Sequence, residues 1–170
     1  MSQEIIPQLE NALEHTISLL GSLSEEQLNT VPFEGSWTAA QVGRHLFKSE
    51  TGTDNLLKTP TQVPDRDPAT GVQRFADIFL NFETKMKSPD YIVPEDKKYD
   101  KGELVSSLEE VKDAILPAAK STNLNETAPL PEGHPFAGST KLEIMHFMAY
   151  HTIRHNRQIE KISALVGSVQ

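Results

Sequence analysis

The chain has 170 residues, with 16 Lys and Arg against 24 Asp and Glu, a formal net charge of −8, and no cysteine. An acidic surface repels phosphate backbones and argues against a nucleic-acid partner. The missing thiols exclude disulfides, thiolate metal sites, iron–sulfur clusters and a cysteine nucleophile. Length and an apolar content of 37% fit a single domain over residues 1–170, able to bury roughly 70% of its unfolded surface. No apolar run approaches the ~18 residues of a membrane span. The opening Met1-Ser2-Gln3-Glu4 lacks the basic flank and apolar stretch of a signal peptide, so a cytoplasmic protein is expected.

In chain order, Ile5, Ile6, Leu9, Leu13, Ile17 and Leu20 form a stripe that predicts a helix over about residues 2–20, stopped by Gly21. Ser24 to Leu28 reads as a short capped turn. Thr38 with Gln41 three residues on is a capping-box pair, and it predicts a second helix running to about Leu57. Val42, His45, Ser49, Thr53 and Leu56 share one face of it, with Leu46 alongside. Residues 58–71, rich in proline, form a loop. A shorter helix is expected near 72–86, with Val72, Phe75, Ile78, Phe79 and Phe82 as its apolar side. After a charged segment at 88–101, a further helix follows over about 102–120, and Pro117 is expected to kink it or end it early. Residues 121–138 make a long polar loop, a length that marks a functional or mobile segment. The last helix starts near Ser139 and Thr140 and runs to about Val166. Five helical segments without a strand predict an all-α fold: a bundle of four long helices with a short extra helix in a crossover connection.

The last helix carries the chemistry. Ile144, Met148, His151, His155, Ile159, Ile162 and Val166 recur at intervals of four, three, four, four, three and four. Imidazoles at i and i+4 stand on one face about one turn apart and can reach one metal ion. His45 lies on the apolar face of the second helix; packed beside the last helix, it would be a third ligand. Three protein ligands leave a coordination position for water or substrate, the catalytic rather than the closed structural arrangement. Three packed, hydrogen-bonded core histidines are the bland alternative. Thr152 follows His151 where a zinc protease carries Glu, so this is not HExxH. Glu143 and His146 match the Glu-x-x-His of di-iron bundles, but no second copy exists, and His146 lies roughly 140° around the helix from His151.

Other residues receive secondary readings. Gln158 shares nearly the same face as the two histidines and is a candidate to hydrogen-bond a ligand or a bound water, or is an ordinary buried Gln. Trp37 is expected to anchor the mouth of the second helix. Glu50, five residues past His45, should point elsewhere as a solvated or salt-bridged carboxylate. His134 in the long loop is a minor candidate for lining the pocket, and His15 a surface residue. Arg154 and Arg157 either meet an anionic substrate or, by preference, pair with carboxylates.

Gly35-Ser36-Trp37-Thr38-Ala39-Ala40-Gln41-Val42-Gly43-Arg44-His45-Leu46 and His151-Thr152-Ile153-Arg154-His155-Asn156-Arg157-Gln158-Ile159 resemble two signatures of the DinB/YfiT-like superfamily: the opening of its second helix and its closing His-x-x-x-His-x-x-Gln. The resemblance covers essentially the whole chain. It implies a four-helix bundle holding a divalent metal through His45, His151 and His155, with zinc or nickel foremost and manganese also compatible. Relatives include bacillithiol S-transferases, mycothiol-dependent isomerases and metal-dependent hydrolases without an established substrate, and many form homodimers. The implied function is a metalloenzyme that activates a low-molecular-weight thiol or water toward a small-molecule substrate. A non-catalytic metal-binding bundle and a metal-free interaction module are the alternatives.

Overall fold

A computed structural model describes residues 2–167; Met1 and residues 168–170, included in the single-domain reading, lie outside the described residues. The helices are α1 (Ser2–Gly21), α2 (Glu25–Leu28), α3 (Ala39–Glu50), α4 (Thr53–Lys58), α5 (Val72–Phe79), a 3-10 turn at Asp90–Ile92, α6 (Lys101–Ser121) and α7 (Lys141–Gly167). No strand occurs among the described residues; an isolated antiparallel bridge joins Thr127 to Thr140. The all-α reading therefore holds. The bundle is formed by α1, the α3–α4 pair, α6 and α7, each packed on its neighbours, with α5 laid against α7.

Local chemistry explains where these helices begin. Ser24–Gln27 and Thr38–Gln41 both form reciprocal capping boxes. At the start of α7, the Glu143 amide donates to Thr140 Oγ1 while the Thr140 amide donates to Glu143 Oε1. Each arrangement satisfies amide groups that the first helical turn leaves without partners.

Two expected boundaries are corrected, and an early end at Pro117 does not occur. The helix expected from Thr38 to Leu57 is interrupted at Thr51 and Gly52, where Gly52 takes φ +86°. This left-handed conformation is open to glycine and turns the chain into α4. The helix expected over 72–86 stops at Phe79, because Arg154 on α7 captures the carbonyls of Phe79, Asn81 and Thr84 and draws the chain out of helical register. Pro117 neither ends nor shortens α6, which continues to Ser121. Pro117 and Asp113, whose carbonyl loses its partner, both sit on the exposed side, where water can take the place of the missing bond.

Two apolar clusters fill the bundle. One gathers Leu9, Leu57, Ile115, Met145 and Met148; the other gathers Leu20, Leu46, Leu104, Ile159 and Ile162. Along α7, His151 and His155 fall between the two. Gly43 on α3 makes the close approach possible: a Cβ there would lie 2.8 Å from Leu20 Cδ1 and 3.3 Å from Leu104 Cδ2. That contact fixes how deeply α3, and with it His45, sits in the bundle.

Candidate metal centre

His45 arrives from α3, and His151 and His155 from consecutive turns of α7. Their ligand atoms all lie within 4.8 Å of one another. His45 Nε2 is 3.0 Å from His155 Nε2 and 3.2 Å from His151 Nε2. His45 and His151 are buried and His155 is half-buried.

The outer ring nitrogens decide what those inner atoms can do. His45 Nδ1 is 2.9 Å from the carbonyl oxygen of Ile92, an acceptor, so it carries the proton. His155 Nδ1 donates to Gln158 Oε1 at 2.8 Å. In a neutral imidazole one nitrogen donates and the other accepts, so the Nε2 atoms of His45 and His155 are both lone-pair donors, aimed at each other. Two lone pairs 3.0 Å apart repel unless a cation lies between them.

That cation is not a proton at neutral pH. Burial, then the neighbouring His155 and His45, holds His151 well below its usual range. Burial and His45 bring His155 down to about 3, against the opposing bond to Gln158. Burial also lowers His45, against the Ile92 carbonyl. The three imidazoles thus form a neutral, converging, proton-poor set, the state in which histidine ligates metal. The donor set fits a divalent ion.

The walls are aromatic. Trp37 lies 5.2 Å from His45 between ring centroids, Phe147 is stacked at 5.4 Å from His151, and Phe79 meets His151 edge-on at 5.9 Å. Phe75 and Phe136 pack behind Phe147. Among the described residues, the ligand group has three members and no carboxylate.

A match to the DinB superfamily family model extends over residues 8–159. The chain belongs to the DinB superfamily. Among curated proteins and solved structures, none gives a significant match.

Within this DinB-superfamily fold, the sequence-predicted residues separate into two groups. His45, His151, His155, Gln158 and Trp37 come together; the others do not. His146 turns away to the Leu142 carbonyl and the Tyr150 ring. His15 is exposed and paired with Glu160. His134 stays in its loop, where Nδ1 accepts the Phe136 amide, and it is linked to the centre through its ring contact with Phe136 and that of Phe136 with Phe147.

Three expectations are overturned. Glu50 is neither solvated nor salt-bridged: it is 2% exposed and accepts a bond from the Thr152 hydroxyl. Arg154 pairs with backbone carbonyls rather than carboxylates, and Arg157 lies over the Phe82 ring at 4.7 Å. Both guanidiniums find local partners that a count of acidic residues does not reveal. Sequence reasoning missed the Ile92 carbonyl and the Phe79 and Phe147 walls. Phe147, one turn before His151, was in principle visible from helical spacing.

Proposed function

We propose that His45, His151 and His155 hold one divalent cation through their Nε2 atoms, with zinc or nickel foremost and manganese third. In this reading the chain is a metalloenzyme acting on a small molecule, as a thiol S-transferase or a hydrolase. The observation that carries the metal assignment is the pair of opposed Nε2 lone pairs on His45 and His155, 3.0 Å apart, with both Nδ1 atoms committed elsewhere. When bound, such an ion lowers the pKa of a water or a low-molecular-weight thiol toward neutrality.

The chain's own residues prepare the position. The Ile92 carbonyl and Gln158 fix the tautomers and orient the rings. Trp37, Phe79 and Phe147 exclude water and lower the local dielectric, which strengthens the pull of a cation on a bound anion. A ligand set of three favours catalysis over a structural role, because it leaves room for an exogenous ligand. With no cysteine in the chain, thiol chemistry requires a small-molecule thiol. The family resemblance supports a homodimer as part of the same proposal, and a cytoplasmic location is carried with it as an expectation from the sequence.

Elemental analysis of tag-free protein by inductively coupled plasma mass spectrometry, beside His45→Ala, tests the centre. About one divalent ion per chain, lost in the variant, is the expected result. Protein that retains no ion after incubation with zinc, nickel or manganese and dialysis sinks the proposal. Metal-loaded protein assayed for thiol consumption and for ester hydrolysis then separates the two reactions.

A further inference from the structure

A second site lies on the far side of α3. Glu50 is five residues past His45, roughly 140° around the helix, and it faces a cleft of about 230 Å³ between the α3–α4 junction and α6. Its lining combines an apolar part, Phe47, Val111 and Ile115, with the polar Ser107, Asp54, Glu110 and Glu50. Glu50 Oε1 accepts the Thr152 hydroxyl of α7 at 3.0 Å, and no hydrogen bond engages Oε2 among the described residues. The Oε2 atom is also not sealed inside the protein. A carboxyl that is 98% withdrawn from solvent, with one oxygen held by Thr152 and the other open to a cleft, presents an acceptor to a group that enters it.

We propose that this cleft binds a small organic ammonium ion, the cationic head on the Glu50 carboxyl and a short alkyl tail against Phe47, Val111 and Ile115. Charge supports the cation. The lining residues include three carboxyl groups, Glu50, Asp54 and Glu110, and no basic residue; Asp54 is itself paired with Lys58 at 3.4 Å, which leaves Glu50 and Glu110 to meet a cation. The apolar wall supports an organic ion over a bare metal ion, which takes oxygen ligands on all sides.

Burial pushes Glu50 up to about 8 against the bond from Thr152, so at pH 7 the free protein carries it as a neutral acid. The charged groups facing it are Asp54 of α4 and Glu110 of α6; α7 offers the uncharged Thr152 hydroxyl. An arriving ammonium N–H donates to Oε2, Glu50 ionises, and its proton leaves to solvent. Binding therefore releases about one proton at pH 7 and none at pH 9.

Titration calorimetry of the full chain with n-butylammonium chloride reads this directly, in buffers of different ionisation enthalpy at pH 7 and pH 9. Saturable binding with that proton count is expected. Glu50→Gln, which keeps an acceptor for Thr152, should lose at least tenfold in affinity together with the proton release. Ser107→Phe fills the cleft while leaving residue 50 a glutamate and should also abolish binding. The proposal is overturned by the absence of saturable heat, by undiminished binding in either variant, or by calcium or magnesium displacing the ammonium at equal concentration. Metal content at the three histidines, measured on the same samples, should not change, so this site and the metal centre can fail independently.

Discussion

Helix α7 carries two buried polar constellations, one at its start and one at its middle. At the start, every group has an answer. Lys141, fully buried, donates to the Thr59 carbonyl at 2.7 Å and to Glu126 at 2.5 Å. Glu143 accepts from Arg66 at 2.6 Å and from the amides of Thr140 and Gly71. Burial alone would raise Glu143, but Arg66 and those amides hold it below the ordinary carboxylate range. At the middle, His45 and His155 are satisfied on their outer nitrogens and opposed on their inner ones. A buried network whose charges and donors balance fastens the fold. One in which the lone pairs of two imidazoles, His45 and His155, are opposed is complete only with something added.

The largest effect should come from breaking the middle. His151→Ala is expected to abolish stoichiometric metal binding while far-ultraviolet circular dichroism keeps its helical signal; an ion retained at unchanged affinity would place the site elsewhere. Breaking the start should do the reverse. Glu143→Ala leaves the amides of Thr140 and Gly71 without their acceptor and removes the carboxylate partner of Arg66, which keeps the Asp67 and Gly138 carbonyls. It should cost about 2 kcal/mol in urea unfolding, with full metal content in the protein that remains folded. Loss of metal at unchanged stability would invert the assignment of roles. A subtler cut is Gln158→Leu, which frees the His155 ring without removing a ligand. Its metal affinity should fall by about 10- to 100-fold, read by competition with a chelating dye.

The smallest effect is a slope. Glu50, with its folded pKa raised from 4.5 to about 8, contributes stability that is fully present below the unfolded value. That stability is lost as pH rises through the folded value. Between pH 4.5 and 8 its contribution to stability should fall by no more than about 1.4 kcal/mol per pH unit, the limit for one proton. Glu50→Gln should lack that slope in urea midpoints at pH 5, 6.5 and 8, and equal slopes in the two proteins would mean that Glu50 is ionised when folded. The buried histidines, with lowered values, tilt stability the opposite way below their unfolded range, so the difference between the two proteins isolates Glu50.

Much of this was legible in the sequence. The stripe on α7 is a matter of spacing, and Thr38–Gln41 marks the start of α3, so the three histidines and their two helices could be named. What was not legible depends on geometry that side-chain pattern does not encode. The turn at Gly52 breaks a periodic segment through one positive φ. The early end of α5 follows from Arg154, some 70 residues later in the chain. Pro117 passes through α6 because its face is exposed. Glu50 was misread because a Glu off the histidine face of a helix is ordinarily solvated, whereas here it is 2% exposed and held by Thr152 of α7.

The hydrogen bond from His45 to Ile92 places one ring of the centre under the control of a main-chain oxygen. Every amino acid supplies that atom, so residue 92 can change identity without changing the bond. A scan of side-chain substitutions would pass over it, and so would a comparison of residue identities between species. Its dependence is on the course of the polypeptide. Shortening or lengthening the segment between α5 and α6, rather than altering any letter in it, is how this contact would be lost.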